Sequence, residues 1–200
     1  MRAKRVVLLV TVAVVVIAGG AAGAAVALSG SGARLASASF PGYGIAFRYP
    51  AAWKRVGWCW TGTVASPMAL LTTARRAPAC EQGGLVTPNS PFPPPQQLGS
   101  DGVTVAWLYS DRPSPKPPLT NSRVGGRPAS VRLGWRTVAN GASGARCGKP
   151  GTRERRLVAA IPHWLTSTGV MRADAVICGP DYAAGEAAVE RMLASVRFTG

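Results

Sequence analysis

The chain has 200 residues and a formal net charge of +15, from 23 lysines and arginines against 8 aspartates and glutamates. Without an apolar stretch near its start and the short linker after it, about 160 residues remain, which suits one domain with a core of its own. The chain has one histidine, and no two of its four cysteines lie within four residues of each other, so the common zinc-binding signatures are excluded.

Residues 6–28 form an uncharged stretch that follows the basic tip MRAKR. As a helix, this stretch is long enough to cross a bilayer core of about 30 Å, and the positive-inside rule keeps Arg2, Lys4 and Arg5 in the cytoplasm. Its denser part, residues 6–17, also has the length of a signal-peptide core, and Ala-x-Ala sites follow it. The stretch is therefore interpreted as a transmembrane anchor, with a cleaved signal peptide and a secreted chain as the alternative.

The predicted organisation has three parts: a basic tip with the anchor or signal peptide at 1–28, a flexible linker at 29–39 and an extracytoplasmic domain at 40–200. Outside the cytoplasm nucleic acid is excluded as a partner, and the polyanions that remain are anionic lipid head groups and acidic wall polymers. Genome composition is the other explanation of the basic excess, because arginine outnumbers lysine and the basic residues are scattered rather than clustered.

Alternating apolar residues predict a series of β-strands in the exported part, at residues 44–50, 68–74, 103–109, 129–138, 156–162 and 170–177. Two proline-rich stretches at 88–95 and 112–118 are expected as loops, because proline removes a backbone donor and fixes φ. Residues 182–194 follow a good N-cap, Asp181, and have the spacing of a helix that packs one face on a sheet.

All four cysteines lie after the apolar stretch, in a compartment where disulfides persist. Four cysteines allow three connectivities, and buried free thiols are the alternative to bridges. Cys147 precedes the first strand of the last predicted hairpin and Cys178 ends the second, so the two meet at its open end. Cys59 and Cys80 flank the predicted strand at 68–74. The predicted pairs are therefore Cys59–Cys80 and Cys147–Cys178.

Three short motifs carry a family resemblance: GIAFRYPAAW at 44–53, VGGRPASVR at 124–132 and AVERMLASVRF at 188–198. Together they resemble the Mog1/PsbP-like fold. The resemblance implies an α+β fold, an α/β/α sandwich with a central, largely antiparallel sheet, here preceded by one N-terminal hydrophobic helix. It also implies a place among small exported bacterial envelope proteins of unassigned role. No family active site exists, so no residue inherits a catalytic role.

The sequence offers no catalytic or metal-binding constellation, and no cofactor is expected. His163 is predicted in a solvated hairpin turn, and the carboxylates and serines match no catalytic motif. Trp58 and Trp60 flank Cys59 and form a candidate surface for a ligand or partner, with packing in the core as the competing interpretation.

These observations favour a noncatalytic binding or accessory module of the cell envelope, membrane-tethered through its N-terminal helix or secreted. Its expected ligand is a cell-wall polymer, an anionic lipid or an envelope protein. The alternative is an exported, hydrolase-like enzyme with an unrecognised site.

Overall fold

A computed structural model describes residues 34–56, 66–74, 96–111, 120–138, 145–180 and 182–199. Most of these residues lie in β-strands, and one α-helix, α1, covers Tyr182–Ala194. A single 3-10 turn covers Pro41–Tyr43. The strands are β1 (Leu35–Phe40), β2 (Ile45–Pro50), β3 (Lys54–Val56), β4 (Ser66–Thr72), β5 (Gln96–Gln97), β6 (Val103–Ser110), β7 (Ser122–Val124), β8 (Arg127–Thr137), β9 (Ala145–Arg146), β10 (Arg153–Pro162), β11 (Val170–Ile177) and β12 (Arg197–Phe198).

The largest sheet has seven antiparallel strands in the order β3-β4-β6-β11-β10-β8-β7. Its centre is the hairpin of β10 and β11, whose register pairs Arg155 with Ile177 and Pro162 with Val170. A second sheet has the order β1-β2-β12, and β5 and β9 form a short parallel pair. Strands form here because apolar residues recur at every second position, which places them on one side of the pleat.

The core lies between one face of the seven-stranded sheet and a layer made of α1 and the three-stranded sheet. The fully buried indole of Trp107 on β6 stacks on the Phe47 ring of β2, with ring centroids 4.9 Å apart. From the sheet, Leu157 and Ile177 meet Met192 of α1 in the same buried cluster. The first and last described segments of the chain therefore supply the layer that closes the core.

The expected α/β/α sandwich is wrong. Such a sandwich needs helices on both faces of its sheet, whereas the described residues hold a single α-helix, Tyr182–Ala194, which shares one layer with β1, β2 and β12. The reason is local: apart from this helix, the apolar residues in the described ranges recur with the period of a strand.

The predicted N-terminal hydrophobic helix, at residues 6–28, lies outside the described residues. Among the residues that the structure describes, no helix is long and apolar enough to span a bilayer. Residues 35–39 of the linker predicted at 29–39 belong to a strand, Leu35–Phe40, which pairs with β2 along its whole length, and residues 29–33 lie outside the described residues. The N-cap predicted at Asp181 and both proline-rich loops also lie outside the described residues.

Candidate binding surface

The sequence-predicted site residues fall into two groups. Trp58, Trp60, Cys59 and Cys80 lie outside the described residues, so the aromatic surface and the first disulfide stay predictions. The second bridge is present: Cys147 and Cys178 are joined, as the hairpin geometry predicted, with 5.1 Å between their Cα atoms. It ties the segment before β10 to the end of β11.

His163 lies where the sequence predicts it, in the turn that joins β10 to β11, with an exposed side chain. Its Nδ1 donates a 2.7 Å hydrogen bond to the backbone carbonyl of Ser167. Its backbone is in the left-handed region, with φ of 56°. This imidazole therefore holds the turn in shape, and no carboxylate in the described residues forms an ion pair with it.

Trp135 on β8 is the most exposed aromatic side chain in the described ranges, with 47% of its surface accessible, and Leu133 beside it is 39% exposed. Both side chains lie on the face of the sheet that carries the core, because the register pairs Leu133 with buried Leu157 and Trp135 with Arg155. The core layer covers this part of β8 only partly. An apolar patch of two side chains is therefore left open to solvent.

The Trp135 ring is surrounded by ordered neighbours. The guanidinium carbons of Arg153 and Arg155 lie 4.8 Å and 5.0 Å from its centroid, within the range of cation–π contacts. The ring of Tyr182, the first residue of α1, meets it edge-on at 4.8 Å. Arg155 is held in turn by an ion pair with Glu186 on α1. We name these five residues the Trp135 cluster.

The Trp135 cluster carries an excess of positive charge. Glu186 balances Arg155, but Arg153 has no carboxylate within ion-pair distance among the described residues. A flat indole that is half-exposed and already fixed by its neighbours loses little side-chain freedom when a ligand covers it. The cluster can therefore contact an acidic ligand with an aromatic edge and one unpaired guanidinium.

The opposite face of the same strands holds a second group of charges. The fully buried carboxylate of Glu154 on β10 accepts hydrogen bonds from Arg136 Nε at 2.8 Å and from the backbone N–H of Cys147 at 3.3 Å. A buried carboxylate needs such partners, since an unpaired charge in the interior is costly. Glu154 therefore fixes β8, β10 and the disulfide segment together.

Asp174 on β11 lies between two arginines on this face, 3.0 Å from Arg172 Nε and 3.8 Å from an Arg156 amino nitrogen. Burial lowers the pKa of the Arg156 guanidinium, and the negative charge of Asp174 acts in the opposite direction. Since both carboxylates of this face are engaged by arginines, the group is explained as the ion pairing that the buried charges need.

Sequence reasoning assigned Trp135 to a strand but did not single it out as a site residue. The sequence gives no signal of its exposure, because Val131, Leu133 and Trp135 alternate with charged or small residues and have the pattern of an ordinary core-facing strand. No protein-family model matches the chain and no curated protein matches it, so the Mog1/PsbP-like resemblance stays a prediction.

Proposed function

We propose that the protein is a noncatalytic binding module of the cell envelope, acting outside the cytoplasm, either tethered by residues 6–28 or released after cleavage. The observation that carries this proposal is the Trp135 cluster, an exposed aromatic ring fixed by two arginines on a rigid sheet. The disulfide Cys147–Cys178 is compatible with an oxidising compartment. Ligand sites on rigid strands are held more accurately than sites on loops.

The ligand that fits this surface is acidic. Without Arg2, Lys4 and Arg5, which the proposal leaves in the cytoplasm, the net charge falls from +15 to +12 and is still strongly positive. Arg153 in the cluster has no carboxylate partner among the described residues. A cell-wall polymer, an anionic lipid surface and an acidic envelope protein all offer the negative charge that such a surface attracts.

The compartment is tested with a reporter fused after Gly200 that is active only outside the cytoplasm, such as alkaline phosphatase. We expect activity in intact cells from the full chain and none from a variant that lacks residues 1–28. Equal activity of the two fusions would contradict the proposed compartment. Activity in the fusion that lacks residues 1–28, with none in the full-chain fusion, would contradict it as well.

The binding surface is tested with the full chain purified in detergent. It is titrated with three acidic probes: vesicles containing phosphatidylglycerol, a soluble anionic wall polymer and poly-glutamate. Tryptophan and arginine dominate binding energies at interfaces, so Trp135→Ala should weaken binding of the true ligand class at least tenfold. The matched control is Leu165→Ala, which removes an apolar side chain of comparable exposure, 56%, from the β10–β11 turn.

Two results would overturn this assignment. One is a folded Trp135→Ala variant that binds all three probes as tightly as the wild type. The other is an equal loss in Leu165→Ala, which would indicate adhesion to any exposed apolar side chain. A double variant, Trp58→Ala with Trp60→Ala, tests the earlier aromatic prediction separately, and unchanged binding in it would remove those two residues from the site.

A further inference from the structure

The outer edge of β8 is only partly covered. β7 lies beside its first three residues, in a register that pairs Val124 with Arg127 and Ser122 with Ala129. The side chain of Asn121 then continues the pairing, since its amide accepts a 2.8 Å bond from the N–H of Val131 and donates a 2.9 Å bond to the carbonyl of the same residue. Within the described ranges, the coverage of β8 ends with this side chain.

Among the described residues, 132–137 of β8 have a strand on one side alone, that of β10. The Asn121 contacts show that the backbone groups of Val131 point away from β10. Backbone direction alternates along a strand, so the N–H and C=O groups of Leu133 and Trp135 point outward as well. The described part of the chain gives these groups no hydrogen-bond partner, and Arg132–Trp135 are all exposed. The row of donors and acceptors is thus open to an additional strand.

We propose that this open edge binds an extended segment of an acidic polypeptide, which pairs with residues 132–137 as an added strand. The proposal rests on the proposed function, because it uses the same Trp135 surface, and it names the partner class for that surface. Main-chain hydrogen bonds supply affinity in this mode of recognition, and alternate side chains supply specificity.

The side chains of β8 determine which residue types the added strand needs on each of its two faces. Leu133 and Trp135 lie on one face of the strand, whereas Arg132 and Arg136 lie on the other. Arg136 is paired with Glu154, but Arg132 has no carboxylate partner in the described residues. Between them, Gly134 has open space where a Cβ would stand. A partner strand that alternates acidic and apolar residues meets cations on one face and the apolar patch on the other.

The same features argue against the other occupants. A lipid surface or a sugar polymer does not carry donors and acceptors at the spacing of a strand, so it leaves the backbone row of Leu133 and Trp135 unpaired. A second copy of the chain has that spacing but brings a second set of arginines to an edge that is already basic. An acidic polypeptide satisfies both the backbone groups and the charge.

The test uses the full chain in detergent and the capped octapeptide (Glu-Val)4, with (Lys-Val)4 as the charge-reversed control. Two further versions carry N-methyl groups on all the valines or on all the glutamates. In an antiparallel ladder, the backbone N–H groups of the peptide residues opposite Leu133 and Trp135 donate hydrogen bonds to β8. In a parallel ladder, the N–H groups of the neighbouring peptide residues donate instead. We therefore expect at least tenfold weaker binding for one methylated version and nearly unchanged binding for the other.

A backbone variant provides the second readout. Leu133→Pro removes one outward N–H and keeps the inward bonds to β10, a position that edge strands tolerate for proline. It should bind (Glu-Val)4 at least tenfold more weakly than Leu133→Ala, which removes the same side chain and keeps the donor. A near-ultraviolet circular dichroism spectrum like that of Leu133→Ala verifies that the proline variant is folded.

The outcomes separate this inference from the proposed function. If vesicles or the wall polymer bind in a Trp135-dependent manner while both methylated peptides behave alike, strand addition is wrong and the binding surface stands. If no acidic probe depends on Trp135, both fail. A wild-type dimer that Leu133→Pro dissociates would show that a second copy occupies the edge, which would also overturn strand addition.

Discussion

Removal of the disulfide between Cys147 and Cys178 should lower the free energy of unfolding by about 3–4 kcal/mol. The bridge joins residues 31 positions apart. A cross-link over a loop of about 30 residues removes conformational entropy from the unfolded chain, and the chain-entropy relation gives about 3.7 kcal/mol at 25 °C. That loss is a large fraction of the 5–15 kcal/mol that is typical of a natural domain.

The suitable variant is Cys147→Ser with Cys178→Ala, because the second position is buried in a small apolar cluster. Reductant is unsuitable, since it would also reduce the predicted bridge between Cys59 and Cys80. Urea unfolding followed by tryptophan fluorescence gives both the stability and the slope m. We expect m to rise, because a chain without the cross-link exposes more surface when it unfolds.

The matched control is Val176→Ala, which removes an apolar contact from the same cluster as Cys178 and leaves the bridge intact. It should lower stability by roughly 1–2 kcal/mol without a change in m. If the double-cysteine variant loses less than about 1 kcal/mol, or loses stability at constant m, the entropic explanation is refuted.

Three further substitutions test the packing that supports the site. Glu154→Gln should cost about 2–3 kcal/mol in urea unfolding, because a buried carboxylate with an arginine and a backbone partner becomes a neutral amide. Trp107→Ala should cost about 3–5 kcal/mol and remove most of the near-ultraviolet circular dichroism signal, since this ring is fully buried. Gly125→Ala should destabilise more than Gly126→Ala in the same melting assay. Both glycines have positive φ, which costs alanine about 1–2 kcal/mol, but only at Gly125 does a Cβ fall 2.6 Å from the ring of Phe198. Equal melting temperatures for the two alanine variants would contradict this reasoning.

The elements that depend on local pattern could be predicted from the sequence. Period-two alternation located the hairpin of Arg153–Pro162 and Val170–Ile177 to within a few residues, and the flanking positions of Cys147 and Cys178 then gave their bridge. The helix predicted at 182–194 has the bounds that the structure gives to α1. These features follow from contacts close in sequence, where spacing constrains geometry.

The arrangement of layers could not be predicted in the same way. β1 contains small residues, LASASF, whose weak alternation resembles a linker, and it becomes a strand because β2 pairs with it residue by residue. The two residues of β12 are too few to give any pattern, yet they complete the three-stranded sheet. Such short elements are stabilised by distant partners, so the family resemblance favoured helices where the chain forms a second sheet.

The candidate site was missed for a related reason. Alternation places Leu133 and Trp135 on the core face of β8 but does not say where the covering layer ends. That limit depends on where α1 begins relative to β8, which is a property of the assembled fold. The exposure of Trp135 can therefore be seen in the structure but not in the sequence pattern.

The pairing of β12 with β2 also determines when the second sheet can be completed during synthesis. β2 pairs with β12 through Ile45 and Phe198, and the next residue, Thr199, donates a backbone hydrogen bond to Gly44. These partners are about 150 residues apart, so at 5–20 residues per second roughly 8–30 s of synthesis separates them. For most of that interval the nascent chain lacks α1, and until its end it lacks the strand that completes the second sheet. The second sheet therefore stays incomplete until β12 has been synthesised, which is compatible with the proposed export of the chain before it folds.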